Sequence, residues 1–129
     1  MATRSPKPAS RPEPDSKPRP EHWEDDAGEG DVARLIVPAD MLRDRTFEIF
    51  CSFAVDARGN EDATMAMRVL VDGSHQWERE ETVHSGGRDS LDYRFRREVL
   101  AGQPLRLQAT TEVSGARRLR LRITADEDR

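Results

Sequence analysis

From Thr46 to Val55 the apolar residues fall on every second position: Phe47, Ile49, Cys51, Phe53 and Val55. A period of two puts these side chains on one face of an extended strand. An amphipathic helix would need spacings of three and four, so this stretch commits the chain to a sheet. Phe50 falls on the opposite face, which is therefore not wholly wet. The same pattern recurs along the chain. Val32 to Val37 reads as a short strand closed by Pro38, and Thr64 to Val71 puts Met65, Met67, Val69 and Val71 on one side. Gln76 to Val83 turns Trp77 and Val83 inward with Arg79 and Glu81 between them, the pattern of an edge strand. Ser90 to Val99 aligns Leu91, Tyr93, Phe95 and Val99, interrupted by Arg97. Leu105 to Val113 and Leu119 to Ala125 complete a set of seven.

The connections are short and rich in turn formers. Asp72-Gly73 predicts a tight hairpin. A turn centred on Gly115 would make a hairpin of the last two strands, pairing Thr111 with Leu119, Ala109 with Leu121, Leu107 with Ile123 and Leu105 with Ala125. Glu112 would then face Arg118, and Gln108 would face Arg122, so both faces support that register. Seven short strands without a long helix predict an all-β fold, a small antiparallel β-sandwich of jelly-roll or immunoglobulin-like order. The immunoglobulin Cys…Trp…Cys pattern is absent, and a small closed barrel is the second choice.

Before Asp31 the chain has another character. Six of its eight prolines stand at positions 6, 8, 12, 14, 18 and 20. Such a segment cannot bury enough apolar surface to fold alone and favours extended backbone. Residues 1–31 are therefore expected to form an extended N-terminal arm and residues 32–129 the β-sandwich domain. On that division, removing residues 1–30 leaves a folded domain.

The net charge of −4 conceals segregation. Residues 1–20 carry five basic and two acidic residues, net +3, and residues 21–31 carry six acidic residues and no Lys or Arg, net −6. Residues 88–122 carry net +5. The acidic stretch could lie over that basic region, or each block could meet a partner of opposite sign, since charge complementarity governs specificity. Trp23 stands alone among His22, Glu24, Asp25 and Asp26. It either folds back onto the domain or anchors in a partner pocket as aromatic hot spots do. The arm residues expected to bind a partner are Arg4, Arg11, Arg19, Trp23, Asp25 and Asp26.

Candidate chemistry is sparse. Cys51, the one cysteine, is in phase with an apolar strand face and reads as a buried thiol. His22, His75 and His84 show no metal-ligand spacing. The loop Asp56 to Asp62 is oxygen-rich but lacks the order of a calcium loop, and Arg58 lies inside it. No phosphate loop or nucleophile elbow occurs. These observations point away from an enzyme and call for no cofactor or metal. One charged surface remains: Arg94 and Arg96 on one strand, Arg118, Arg120 and Arg122 on the last, and Arg106 on its neighbour. Such a row could track a phosphate backbone, but it lacks the exposed aromatics that stack on bases, so nucleic acid is the weaker partner.

No stretch approaches the ~20 apolar residues of a membrane helix, and the N-terminus has no apolar core of a secretory signal. The expected setting is the cytoplasm, or a particle assembled there. The leading expectation is a non-enzymatic structural or interaction protein, held to protein partners in a larger assembly through its arm. A phage or virus capsid decoration or minor virion protein is the most concrete version, and self-association into a homo-oligomer is compatible with it. The alternatives are a carbohydrate-type ligand-binding sandwich, using Trp77 or Tyr93, and a nucleic-acid-associated protein using the arginine face.

Overall fold

The computed structural model describes residues 19–84 and 86–128. The arm expected over the first 18 residues, with Arg4 and Arg11, lies outside them. Eight strands follow in order: β1 (His22–Gly28), β2 (Val32–Val37), β3 (Arg45–Asp56), β4 (Thr64–Val71), β5 (Ser74–Thr82), β6 (Arg88–Val99), β7 (Leu105–Ser114) and β8 (Arg117–Glu127). They form two four-stranded antiparallel sheets, ordered β1-β8-β3-β6 and β2-β7-β4-β5. Every connection except the β4–β5 hairpin crosses from one sheet to the other. This is the order of a jelly roll, which decides between the two sandwich topologies expected.

The period-two residues meet between the sheets. Phe47, Ile49, Cys51 and Phe53 of β3 face Met65, Met67 and Val69 of β4, Leu105 and Leu107 of β7, and Leu121 and Ile123 of β8; all are buried. Full burial of such side chains contributes roughly 1.5–3 kcal/mol each. Burial also pushes the Cys51 thiol up to about 12, so it stays protonated and inert. The Asp72-Gly73 hairpin has φ of 51° and 84° at its two central residues, the left-handed pair of a type I′ turn. Here glycine is used because an L side chain at that second position would be strained.

Two expectations are corrected. His22–Gly28 is not the joint of an arm but strand β1, paired along β8 from His22↔Asp126 to Gly28↔Leu121. The sheet therefore starts nine residues or so before Asp31, and a deletion of residues 1–30 would remove a strand. Second, β7 and β8 are not a hairpin. β7 pairs with β2 and β4, and β8 pairs with β1 and β3, so the turn at Gly115 is an arch between sheets. Their apolar sets do face a common core, but across it rather than side by side. A one-face pattern cannot separate these arrangements, because both bury the same residues.

Candidate attachment end

At one end of the sandwich lie the start of β1, the start of β3 and the end of β8. Two loops cross it, residues 38–44 between β2 and β3, and residues 100–104 between β6 and β7. They are clipped together: Gly102 N donates to the Asp40 carbonyl (2.8 Å) and Ala101 N to Asp44 Oδ1 (2.8 Å). Asp40 also accepts from Leu42 N (2.9 Å) and from Arg43 Nε (3.1 Å). Met41 lies over Gly102, whose left-handed φ of 84° turns the second loop.

Beneath these loops is a cluster of charges. The Arg45 side chain is 1% exposed and donates to Glu21 Oε1 (2.7 Å) and to the Pro38 carbonyl (2.8 Å). Its guanidinium also sits 5.2 Å from the centre of the Phe47 ring. Arg43 reaches Glu21 (3.2 Å) and pairs closely with Glu127, which raises its pKa further. Glu127 N donates to the Glu21 carbonyl (2.8 Å), and Glu21 N donates to Glu127 Oε1 (3.1 Å). The entry of β1 is thus bound to the end of β8 and to the β2–β3 loop. The sequence reading missed this cluster, because Glu21, Asp40, Arg43, Arg45 and Glu127 are scattered along the chain with no motif spacing.

The same end carries the exposed apolar residues. Among the described residues, the large hydrophobics left exposed are Ile36 (59%), Met41 (73%), Leu42 (92%) and Leu100 (46%). Met41, Leu42 and Leu100 are in or beside the clipped loops. Ile36 is the penultimate residue of β2 and, with Leu70, lines a depression of about 250 Å³ on the outer sheet face. Arg19, where the described chain begins, is exposed next to Glu21.

The arm residues singled out from sequence are placed as follows. Trp23 folds back: it packs against the core opposite Ala125 and donates Nε1–H to Glu21 (2.9 Å). Asp25 points between the sheets and accepts from Arg34 N of β2 (2.9 Å), linking them at their open edge. Asp26 pairs with Arg120 (2.7 Å), which together with the Gly28 N–H holds its carboxyl below the ordinary 3.8. On the same outer face Glu24 lies 3.0 Å from Arg122 Nε, without hydrogen-bond alignment there, and 3.3 Å from Nη2. His22 bonds Asp126 closely and Glu24 at 3.3 Å, and these carboxylates raise its pKa above 6.5. The acidic stretch therefore lies beside the basic β8.

The arginine row divides. Arg120 and Arg122 of β8 and Arg94 and Arg96 of β6 share the outer face of one sheet, separated by β3. Arg96 pairs with Asp128, while Arg94 stacks over Phe50 (4.4 Å) and is 3.8 Å from Glu48. The register shifts opposite Ala54 and Val55, which turns Arg118 inward to donate to Thr111. Arg106 belongs to the other sheet. What remains is a face of acid–base pairs rather than a cationic strip. At the far edge Trp77, Tyr93 and Phe95 stack on one another, with ring centres 4.5 and 5.1 Å apart. The rings are half-buried and spend contact area on each other.

No known family model matches the chain, and no curated protein matches it in sequence. Among solved structures it is similar to the crystal structure of dimeric latent PorU from Porphyromonas gingivalis, with a TM-score of 0.51 and 12% identity over 84% of this chain. The chain spans 13% of that protein's length. At this identity the likeness shows the fold alone.

Proposed function

We propose that this protein is a non-enzymatic jelly-roll module held in a larger assembly through its N-terminal side. One observation carries this reading: the entry of the chain is locked into the fold. Glu21 is gripped by Arg43 and Arg45, and β1 is seated along β8 by backbone pairing, Trp23 and charge pairs. A segment preceding such a strand transmits load to the whole sandwich, as a tether requires. The proline-rich composition of residues 1–20 suits extended contact with a partner. A capsid decoration or minor virion protein is the most concrete form of this proposal, and protein partners in the cytoplasm or in a particle assembled there are its setting.

The test is the size of the native complex. A tagged full-length chain should migrate with a large assembly in extracts of cells that make it. A chain lacking residues 1–18 should migrate as a free, folded monomer. Equal migration of both as monomers would sink the proposal.

A further inference from the structure

We propose that β6 is a self-complementary edge through which two copies of this chain pair antiparallel, about a two-fold axis at Tyr93. The sheet β1-β8-β3-β6 would then run on into its copy. The partner is a second copy of the chain, so the inference goes beyond the attachment reading and does not depend on it.

The sandwich has four edge strands, and three of them are blunted. β2 is six residues long, runs into Pro38, and has its Arg34 N–H taken by Asp25. β1 and β5 shift register at Ala27 and Gln76. Short length, proline and bulges are the usual guards against edge pairing. β6 has none of these. Its 12 residues contain neither proline nor glycine and pair with β3 from Arg88 to Val99 without a shift. The one guard it carries is an inward charge, Arg97, in phase with Leu91, Tyr93 and Phe95.

Pairing β6 with itself answers that charge. With Tyr93 opposite Tyr93, the inner row sets Phe95 against Leu91 and Arg97 against Asp89 of the second copy. The outer row sets Arg94 against Asp92, Glu98 against Arg88, and Arg96, already paired with Asp128, against Ser90. Among the described residues Arg88, Arg97 and Glu98 have no ion-pair partner; each acquires one here, and no like charges oppose. Opposite charges facing across strands stabilise a pair, and like charges destabilise it. The register is specific. A slip of two residues one way brings Arg94 opposite Arg94. The other way brings Asp92 opposite Asp92 and Arg96 opposite Arg88. A slip of one residue sets the inner row against the outer. The half-buried rings of Tyr93 and Phe95, with Trp77 stacked on Tyr93 at 4.5 Å, would be covered at the seam. A two-fold interface of this kind closes on itself and stops at the dimer.

One strand pair is a small interface, so association is expected near about 100 µM, well above the concentration in a cell extract. Sedimentation equilibrium of the purified full-length chain should show monomer passing to dimer below about 500 µM. Glu98→Arg sets like charges against Arg88 of the second copy, and Arg88→Glu sets them against its Glu98. Both positions are exposed, and the unfolding midpoint of each dilute variant checks that the monomer is intact. Each substitution alone should weaken the dimer at least about tenfold. Mixed in equal amounts, the two variants should pair with each other at parental strength, and the double variant should again pair with itself. A chain that stays monomeric throughout would overturn the pairing. So would a dimer indifferent to both substitutions, or variants that fail to associate when mixed, since either puts self-association on another surface or in another register. Protection of the β6 amides from exchange only when a different protein is bound would give the edge to an unlike strand and overturn it too. These outcomes leave the tether untouched, because its test is the migration of the chain lacking residues 1–18.

Discussion

At the end carrying Ala57, Ala63 and Val83, the loops turn inward: all three residues are buried. Val83 N donates to the Ala63 carbonyl (2.9 Å), and Asn60 reaches across to the Gly115 carbonyl (3.1 Å). At the opposite end the loops are as well bonded, yet Met41 and Leu42 face outward. Small side chains close one end and long ones are displayed at the other. Hydrogen bonding therefore does not distinguish the two ends; both seal the core, with Val37, Phe47, Val99 and Leu105 buried at the second, and only that one displays long apolar side chains above the seal.

Four experiments break or sharpen this contrast. The largest effect is expected from removing residues 1–28. This takes away β1 and Trp23, uncovers one edge of β8, and should abolish the single cooperative unfolding transition seen by calorimetry. Removing residues 1–18 should leave that transition in place; if both deletions unfold alike, β1 is dispensable. Next comes a pair of equivalent charges at the two ends. Ala63→Asp buries an unpaired carboxylate and should cost several kcal/mol in denaturant unfolding, whereas Leu42→Asp should stay within about 0.5 kcal/mol of the parent. Similar costs would mean that the tip is part of the core.

Arg45→Ala should cost about 2 kcal/mol, since it takes from the Pro38 carbonyl its Arg45 donor and from Glu21 the most deeply buried of its three donors, while Arg43 and Trp23 still hold that carboxylate. Its loss should also loosen the tip, seen as faster amide exchange at Leu42 and Gly102 than at Asn60 and Ala63. Unchanged exchange at Leu42 would detach the charge cluster from the display of the tip. The smallest effect is on β1 and follows pH. His22 has a raised pKa, so its contribution is full below 6.5 and fades as pH rises through the higher folded value. Asp26 has a lowered pKa, so its contribution is full above 3.8 and fades as pH falls through the lower folded value. β1 should thus be held best between these limits. Trp23 fluorescence in a Trp77→Phe background should show the least quenching by added iodide there, and a flat profile would refute the pairs as pH-sensitive clasps. The effect is small because both groups are solvent-screened.

Much of this fold was readable from period two alone. The seven strands inferred from alternation lie where expected, because each puts several large apolar residues on one face. β1 escaped because its inward positions are Trp23, Asp25 and Ala27, which give a single large apolar residue. Its signal was in the charges instead: Glu24 and Asp26 alternate in step with Arg122 and Arg120, and the opposite net charges of the two stretches suggested their approach. The β7–β8 relation was misread because alternation states which side faces the core and not which strand lies alongside. Of the candidate residues of the expected arm, Trp23, Asp25 and Asp26 gained structural partners. The exposed tip has no sequence signature, since Met41-Leu42 is too short to form a pattern.

The place of β8 has a kinetic consequence. It is the last strand made, yet it sits between β1 and β3 in the middle of its sheet. His22 pairs with Asp126, so that sheet closes only across nearly the whole described length of the chain. Contacts this distant in sequence slow folding. During synthesis, β1 and β3 must wait with bare edges until the final strand leaves the ribosome. The slow step of folding should be the arrival of β8, and a nascent chain stalled before Arg117 should expose Trp23 and Phe53 to chaperones.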